Sequence, residues 1–258
     1  MKLNTIKIKY LYSLTLVMLA TLVQQLFVFA THIDEDKFKQ DFQAKYKVYA
    51  FNIPGDLNFA GEQVPLDNFE VYEKMDRALF ANSYWQTRSL VMHQRASRWF
   101  PLIEKILAKN HIPSDFKYLP AIESSFLNAT SPAGAVGFWQ LMDKTAVEYG
   151  LTVNSELDER NHIEKSTKAA CKHLKKLKRE LGSWTLVALA YNMGVNATKT
   201  QIARQQTKNY YDLKLNREAA RYVYRILAMK EVLAHPANYG YRIRKKELPL
   251  SASFIAQK

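Results

Sequence analysis

After Asn68, apolar residues recur every three to four positions along most of the chain, and that spacing predicts helices. Trp99, Leu102, Ile103 and Ile106 form one such face, expected to end before His111-Ile112-Pro113. Tyr118, Leu119, Ile122 and Phe126 form a second, shorter one. Asn161 with Glu164 three residues later makes a capping-box-like start. The helix it opens would carry Ile163, Ala170, Leu174, Leu177 and Leu181 on one side. The other side bears Lys165, Lys168, Lys172, Lys175, Lys176 and Arg179, read as a solvated face, with attraction to an anionic polymer as the alternative. Gly182 should stop this helix. Residues 184–191 are apolar nearly all round, which marks a buried central helix. Tyr222, Val223, Ile226, Leu227, Met229 and Leu233 give the last strong stripe. No alternation of period two is sustained, so the expected fold class is mainly α.

Earlier in the chain the pattern changes. Pro54-Gly55, Gly61 and Pro65 break up scattered apolar residues at 49–66, which predicts irregular structure wrapped on something larger. Residues 31–48 are charged and read as a flexible or helical lead-in. Lys2, Lys7 and Lys9 precede an apolar run from Tyr10 to Ala30, with no acid before Asp34 and small residues at Val28 and Ala30. This is the layout of a secretory signal. Ser13, Thr15, Thr21, Gln24 and Gln25 interrupt the run and weaken it as a permanent span, leaving an uncleaved anchor as the alternative. No cysteine sits at the exit, which excludes a lipid-modified start there. The expected location is outside the cytoplasm, in the periplasm or cell envelope.

Composition narrows the function. The 258 residues carry 37 Lys plus Arg against 24 Asp plus Glu, a net charge of +13. Removing residues 1–30 would take away three lysines and no acids, leaving +10. A sequence pI near 9.6 usually points to nucleic acid, but export argues against that partner. An anionic envelope suits an exported basic protein, with solubility alone as the plain alternative. The single cysteine, Cys171, excludes an internal disulfide and a two-cysteine zinc site, and it reads as a small core residue. The 8 glycines form no nucleotide-gripping motif, and the six histidines contain no H-E-x-x-H; His162 and His173 read as surface residues. Neither a metal nor a cofactor is expected.

Three stretches hold candidate chemistry. Glu123, in Ala121-Ile122-Glu123-Ser124-Ser125-Phe126, is the lone acid between Asp115 and Asp143. On a helix it lies one turn from Leu119, at the border of the apolar face. Desolvation there would raise its pKa, as a proton-donating carboxylic acid requires. An exposed glutamate near a helix end is the plain alternative. Next comes Gly134-Ala135-Val136-Gly137-Phe138-Trp139-Gln140, whose glycines permit a tight loop close to a ligand. Ala190-Tyr191-Asn192-Met193-Gly194 places a phenol and an amide where the buried helix ends, though Asn and Gly also simply terminate helices.

In order and spacing, Glu-Ser, Gly-Phe-Trp-Gln and Ala-Tyr-Asn-x-Gly resemble the catalytic domain of the family 1 lytic transglycosylases, which have a lysozyme-like, goose-type helical fold and cut peptidoglycan glycan strands. The likeness runs from about Phe100 to Tyr241 and includes Asp158-Glu159-Arg160 and Arg221-Tyr222-Val223. With the signal or anchor read at 1–30, it divides the chain into an extension packing on the catalytic domain at 31–99, the catalytic domain at 100–241 and a tail at 242–258. Phe138 replaces the usual Leu, and Met193 and Val195 replace smaller residues, which alters the groove rather than the chemical groups.

The resemblance makes Glu123 the catalytic acid, then base, with glycan strands as partner and no cofactor. Gln140 would bind the sugar or an acetamido group. Tyr191 and Asn192 would orient the acetamido group or the leaving sugar. Ser124 would position Glu123 or a lactyl group, Tyr222 would hold Glu123, and Trp139 would build the groove wall. No motif supplies the second carboxylate of a two-carboxylate glycosidase. That fits a reaction in which the muramic acid's own 6-hydroxyl closes on C1. A goose-type hydrolase and a non-catalytic wall-binding scaffold are the competing readings. The basic surface or the N-terminal segment would add envelope association.

Overall fold

A computed structural model describes residues 10, 12, 14–26, 40, 50–83 and 86–243. The chain divides into two units, Met1–Ala50 and Phe51–Lys258. In the first, residues 14–26 are helical and exposed. The expected signal exit at 28–30, nearly all of the lead-in at 31–48 and the tail beyond Ile243 lie outside the described residues. Among the described residues no helix is long and apolar enough to cross a membrane.

The second unit is mainly helical, as the spacing predicts. Its elements are β1 (Asn58–Phe59), β2 (Glu62–Gln63), α1 (Phe69–Ser83), α2 (Gln86–Lys109), α3 (Leu119–Ser124), α4 (Asp143–Glu148), α5 (Ile163–Leu181), α6 (Trp184–Met193), α7 (Val195–Gln205) and α8 (Ala219–Ala234). In α1 the residues at four-residue spacing, Val71, Met75 and Leu79, are buried, and the helix packs along α8. Helix α6 is the centre: Leu186 to Ala190 are all buried, and α5, α7 and α8 surround it. Cys171 lies in the core as expected, and burial pushes its thiol up to about 12.

Two local expectations shift. The segment read as irregular contains the hairpin β1–β2, turned at Ala60 and Gly61, both at positive φ, as a two-residue turn requires. Strands of two residues are too short to show alternation. The start of α5 is capped not by Asn161 but by His162, whose Nδ1 accepts from the Lys165 N–H at 3.4 Å. Asp158 instead caps a 3-10 turn, Glu159–Asn161, which delays the helix start, and Glu164 pairs with Lys168 at 2.6 Å.

The hairpin also holds the front of α6. Glu62 accepts from the Thr185 N–H at 2.9 Å, the Ser183 hydroxyl at 2.7 Å and the Trp184 N–H. A carboxylate at a helix N-terminus satisfies orphan N–H groups and opposes the positive end of the dipole. Burial alone would raise its pKa, but these hydrogen bonds outweigh burial and hold it low. Its stabilisation is therefore complete above the ordinary value of 4.5 and lost as pH falls through the depressed folded value. Glu62→Ala should cost about 2 kcal/mol at neutral pH. Denaturant titration at neutral and acid pH should show that difference shrinking with acidification.

Candidate active site

Glu123 sits near the C-terminal end of α3, where the backbone makes an unusual exit. Ser125 and Phe126 follow in the left-handed region at φ 55 and 56. Two consecutive non-glycine residues there cost of order 1–3 kcal/mol each. Phe126 offsets this by burying its ring against Phe100 and Phe138, and the Arg95 guanidinium donates to Ser125 O at 2.9 Å. Phe126 thus lies past the helix rather than on its face, because the chain turns to seat that ring.

Burial pushes the Glu123 carboxyl above the usual carboxylate range. A hydrogen bond from Tyr222 and the charge of Arg225 pull the other way, and Glu218 adds to the rise. Tyr222, fully buried in α8, donates its phenol proton to Glu123 Oε1. Burial and the Glu123 charge push the Tyr222 phenol far above its ordinary value, so it stays a donor. The half-buried Tyr191 is raised by the same two causes, and its hydroxyl donates to Trp139 O at 2.5 Å. Glu123, Tyr222 and Tyr191 therefore form one constellation. Asn192 stands beside it through Glu218, with Nδ2 and Oε1 at 3.4 Å.

The loop after α3 is built from the second motif. Gly137 has φ 81 and lies against the Arg160 backbone, where a Cβ would collide. Arg160 is itself buried, bonded to Asp158 at 2.6 Å and Asp143, and it donates to Gly134 O at 3.2 Å and Leu141 O at 3.3 Å. That ties the Asp158-Glu159-Arg160 stretch to the Gly-Phe-Trp-Gln loop. Gln140, at φ 47, spends both amide protons on Ala129 O at 2.8 Å and Gly137 O at 2.9 Å, so only its Oε1 can meet a ligand as acceptor. Ser124 is buried and donates to Pro120 O and Phe138 O at 3.1 and 3.0 Å. It joins α3 to the loop. Trp139 is not groove wall but fully buried core, its indole donating to Thr167 at 2.8 Å.

Three residues missing from the sequence-based set belong here. Glu218 precedes Tyr222 by one helical turn, a spacing that could have found it. Arg225 acts on Glu123 from the same helix. His173 is not a surface residue: half-buried, its ring lies between Tyr149 and Tyr191 at 5.3 and 5.7 Å. The lysine face of α5 is largely solvated but tied by ion pairs such as Lys176 to Glu148 at 2.8 Å. Among the described residues no three His, Cys, Asp or Glu side chains gather as a metal site.

Residues 100–214, which carry this arrangement except for Arg95, Glu218 and α8, match the family described as the transglycosylase SLT domain. The chain is also 32% identical over 199 residues to membrane-bound lytic murein transglycosylase D of Escherichia coli strain K12, and equally to the protein of that name from E. coli O6:H1 strain CFT073. Each match covers 73% of this chain and 43% of the relative. Residues 100–214 are thus the part of the chain that the transglycosylase SLT domain describes. The chain spans less than half the length of the curated relatives it matches. Within the SLT domain, all three motifs of the sequence converge on the ground around Glu123.

Proposed function

We propose that this SLT domain is a peptidoglycan lytic transglycosylase, cleaving the β-1,4 bond between N-acetylmuramic acid and N-acetylglucosamine with a single carboxylate. The observation that carries the reading is Glu123, desolvated and bonded by Tyr222 through one oxygen only. Because Tyr222 donates to Oε1, the acid proton of Glu123 belongs on Oε2. That proton goes to the glycosidic oxygen as the bond to C1 breaks. The substrate's N-acetyl group shares the positive charge at C1. The muramic 6-hydroxyl then forms its bond to C1, and its proton returns to Glu123, leaving a 1,6-anhydro end and the enzyme unchanged. Tyr191 and Asn192 orient the acetamido group or leaving sugar, Gln140 offers Oε1 to the sugar, and Ser124 positions the loop.

A hydrolase would need a second carboxylate for water, and Glu218 is the residue it would use. The relatives' names favour transglycosylation. Mass spectrometry of muropeptides released from purified sacculi separates the two: anhydro ends support the proposal, and products heavier by one water overturn it. A position at the cell envelope is part of the proposal, supported by the word membrane-bound in the relatives' names and by the excess of basic residues.

The pH profile gives a second check. The acid must start protonated, so kcat/KM should fall as pH rises through the Glu123 pKa, which lies above the ordinary 4.5. Tyr222→Phe removes a hydrogen bond that favours the charged form. Its profile should keep the falling limb but move it to higher pH, with a rate loss of about tenfold. An unmoved limb would speak against Tyr222 as the partner of the reacting acid.

A further inference from the structure

A cleft of about 780 Å³ opens between α1, α2, α3 and α8. Its charged lining is Lys74, Arg77, Arg217, Arg221 and Arg225, against one carboxylate, Glu218. Met92, Met229 and Leu233 contribute apolar lining, and so does Tyr224, whose buried hydroxyl has no hydrogen-bond partner among the described residues. Lys74 and Arg77 are held by Glu70 and Glu73 at 3.1 and 2.7 Å. Arg217, Arg221 and Arg225 form no ion pair with a described residue. They follow one another at four-residue spacing, so they share one side of the helix and its lead-in. Arg217 and Arg221 flank the N-terminal end of α8, where a cation opposes the dipole, so helix stability does not ask for them.

The cleft lies beside the reacting site. Ile122 and Ser125 line it on either side of Glu123 in the chain, and Glu218 and Arg225 both act on the Glu123 charge. We infer that the cleft binds the stem peptide of the muramic acid being cut, its carboxylates meeting Arg217 and Arg221 and its aliphatic side chains resting on the apolar lining. This inference rests on the peptidoglycan reading above. The stem is short, carries several carboxylates and starts at the lactyl group of the sugar whose C1 reacts, so it leaves the strand close to Glu123. In a strand with intact stems the sugars themselves are uncharged, and only the peptide offers these arginines a partner.

The test compares soluble uncrosslinked strands whose stem carboxylates are free with strands whose carboxylates are amidated. The wild type should favour the free-acid strands by roughly fivefold to thirtyfold, mostly in KM, the effect of two partly exposed ion pairs. The double variant Arg217→Ala, Arg221→Ala, altered at exposed positions, should lose the preference while matching wild type on amidated strands. Equal wild-type rates on both strands, or a preference kept by the double variant, overturn the inference. Calorimetry with the free stem peptide reads the cleft without turnover. Binding weakened in the double variant supports it; no binding, or equally tight binding of inorganic phosphate, overturns it. Peptide binding without any anhydro product would overturn the activity reading instead.

Discussion

Glu123→Gln should lower the release of anhydromuropeptides from purified sacculi by about a thousandfold or more, the scale of a positioned acid that also serves as the base. The amide keeps the shape and still accepts the Tyr222 hydroxyl at Oε1, so the fold should survive. Stability gives the matching control. The folded pKa of Glu123 is raised, so its ionisation works against the fold, and wild type loses stability as pH rises past the ordinary glutamate value of 4.5. The Gln variant escapes that loss. It should therefore be as stable as wild type below this pH and more stable at neutral pH, while inactive at both. Thermal melts at acid and neutral pH beside the sacculus assay check both halves. A Gln variant that still releases anhydro products at the wild-type rate would remove Glu123 from the reaction.

The second large effect is on the fold. Gly137→Ala should destabilise by about 3 kcal/mol or more, or roughly 10 °C in Tm. Its φ of 81 disfavours any side chain, and a Cβ would lie 2.8 Å from the Arg160 carbonyl carbon, against backbone that cannot swing aside. Moving that backbone would loosen Arg160, which binds Asp143 and Asp158 and clips the loop carrying Gln140. Gly134→Ala is the control. It has a similar φ of 87 but nothing within 4 Å, so only the backbone term remains, about 1 kcal/mol. Similar losses in the two variants would refute the packing explanation.

The helices were legible because each buries one face, and 3.6-residue spacing records that burial directly. The central helix showed itself by being apolar all round, and α8 by its stripe through Tyr222. The chemistry was only half legible. A rising pKa at Glu123 follows from its apolar neighbours, but its partner Tyr222, 99 residues away, is legible only through the family resemblance, because no local pattern announces a partner at that separation. The same holds for Arg160, whose bonds reach Gly134 and Leu141 across the chain. Ser124 and Gln140 look like ligand contacts in a motif, yet most of their hydrogen-bonding capacity holds backbone in place. Such positioning is visible only once the left-handed turns at Ser125, Phe126 and Gln140 are known. Trp139, a groove-wall residue by the family resemblance alone, turns its indole N–H to Thr167 inside the core.

The central claim is that one side chain moves one proton out and back while no water enters the bond. Digesting purified glycan strands in water enriched in heavy oxygen measures this directly. The account predicts anhydro ends with no heavy oxygen at C1 in the primary products. Heavy oxygen at that carbon in the first products formed would mean that water, activated by another group such as Glu218, does the work assigned to the substrate's own hydroxyl.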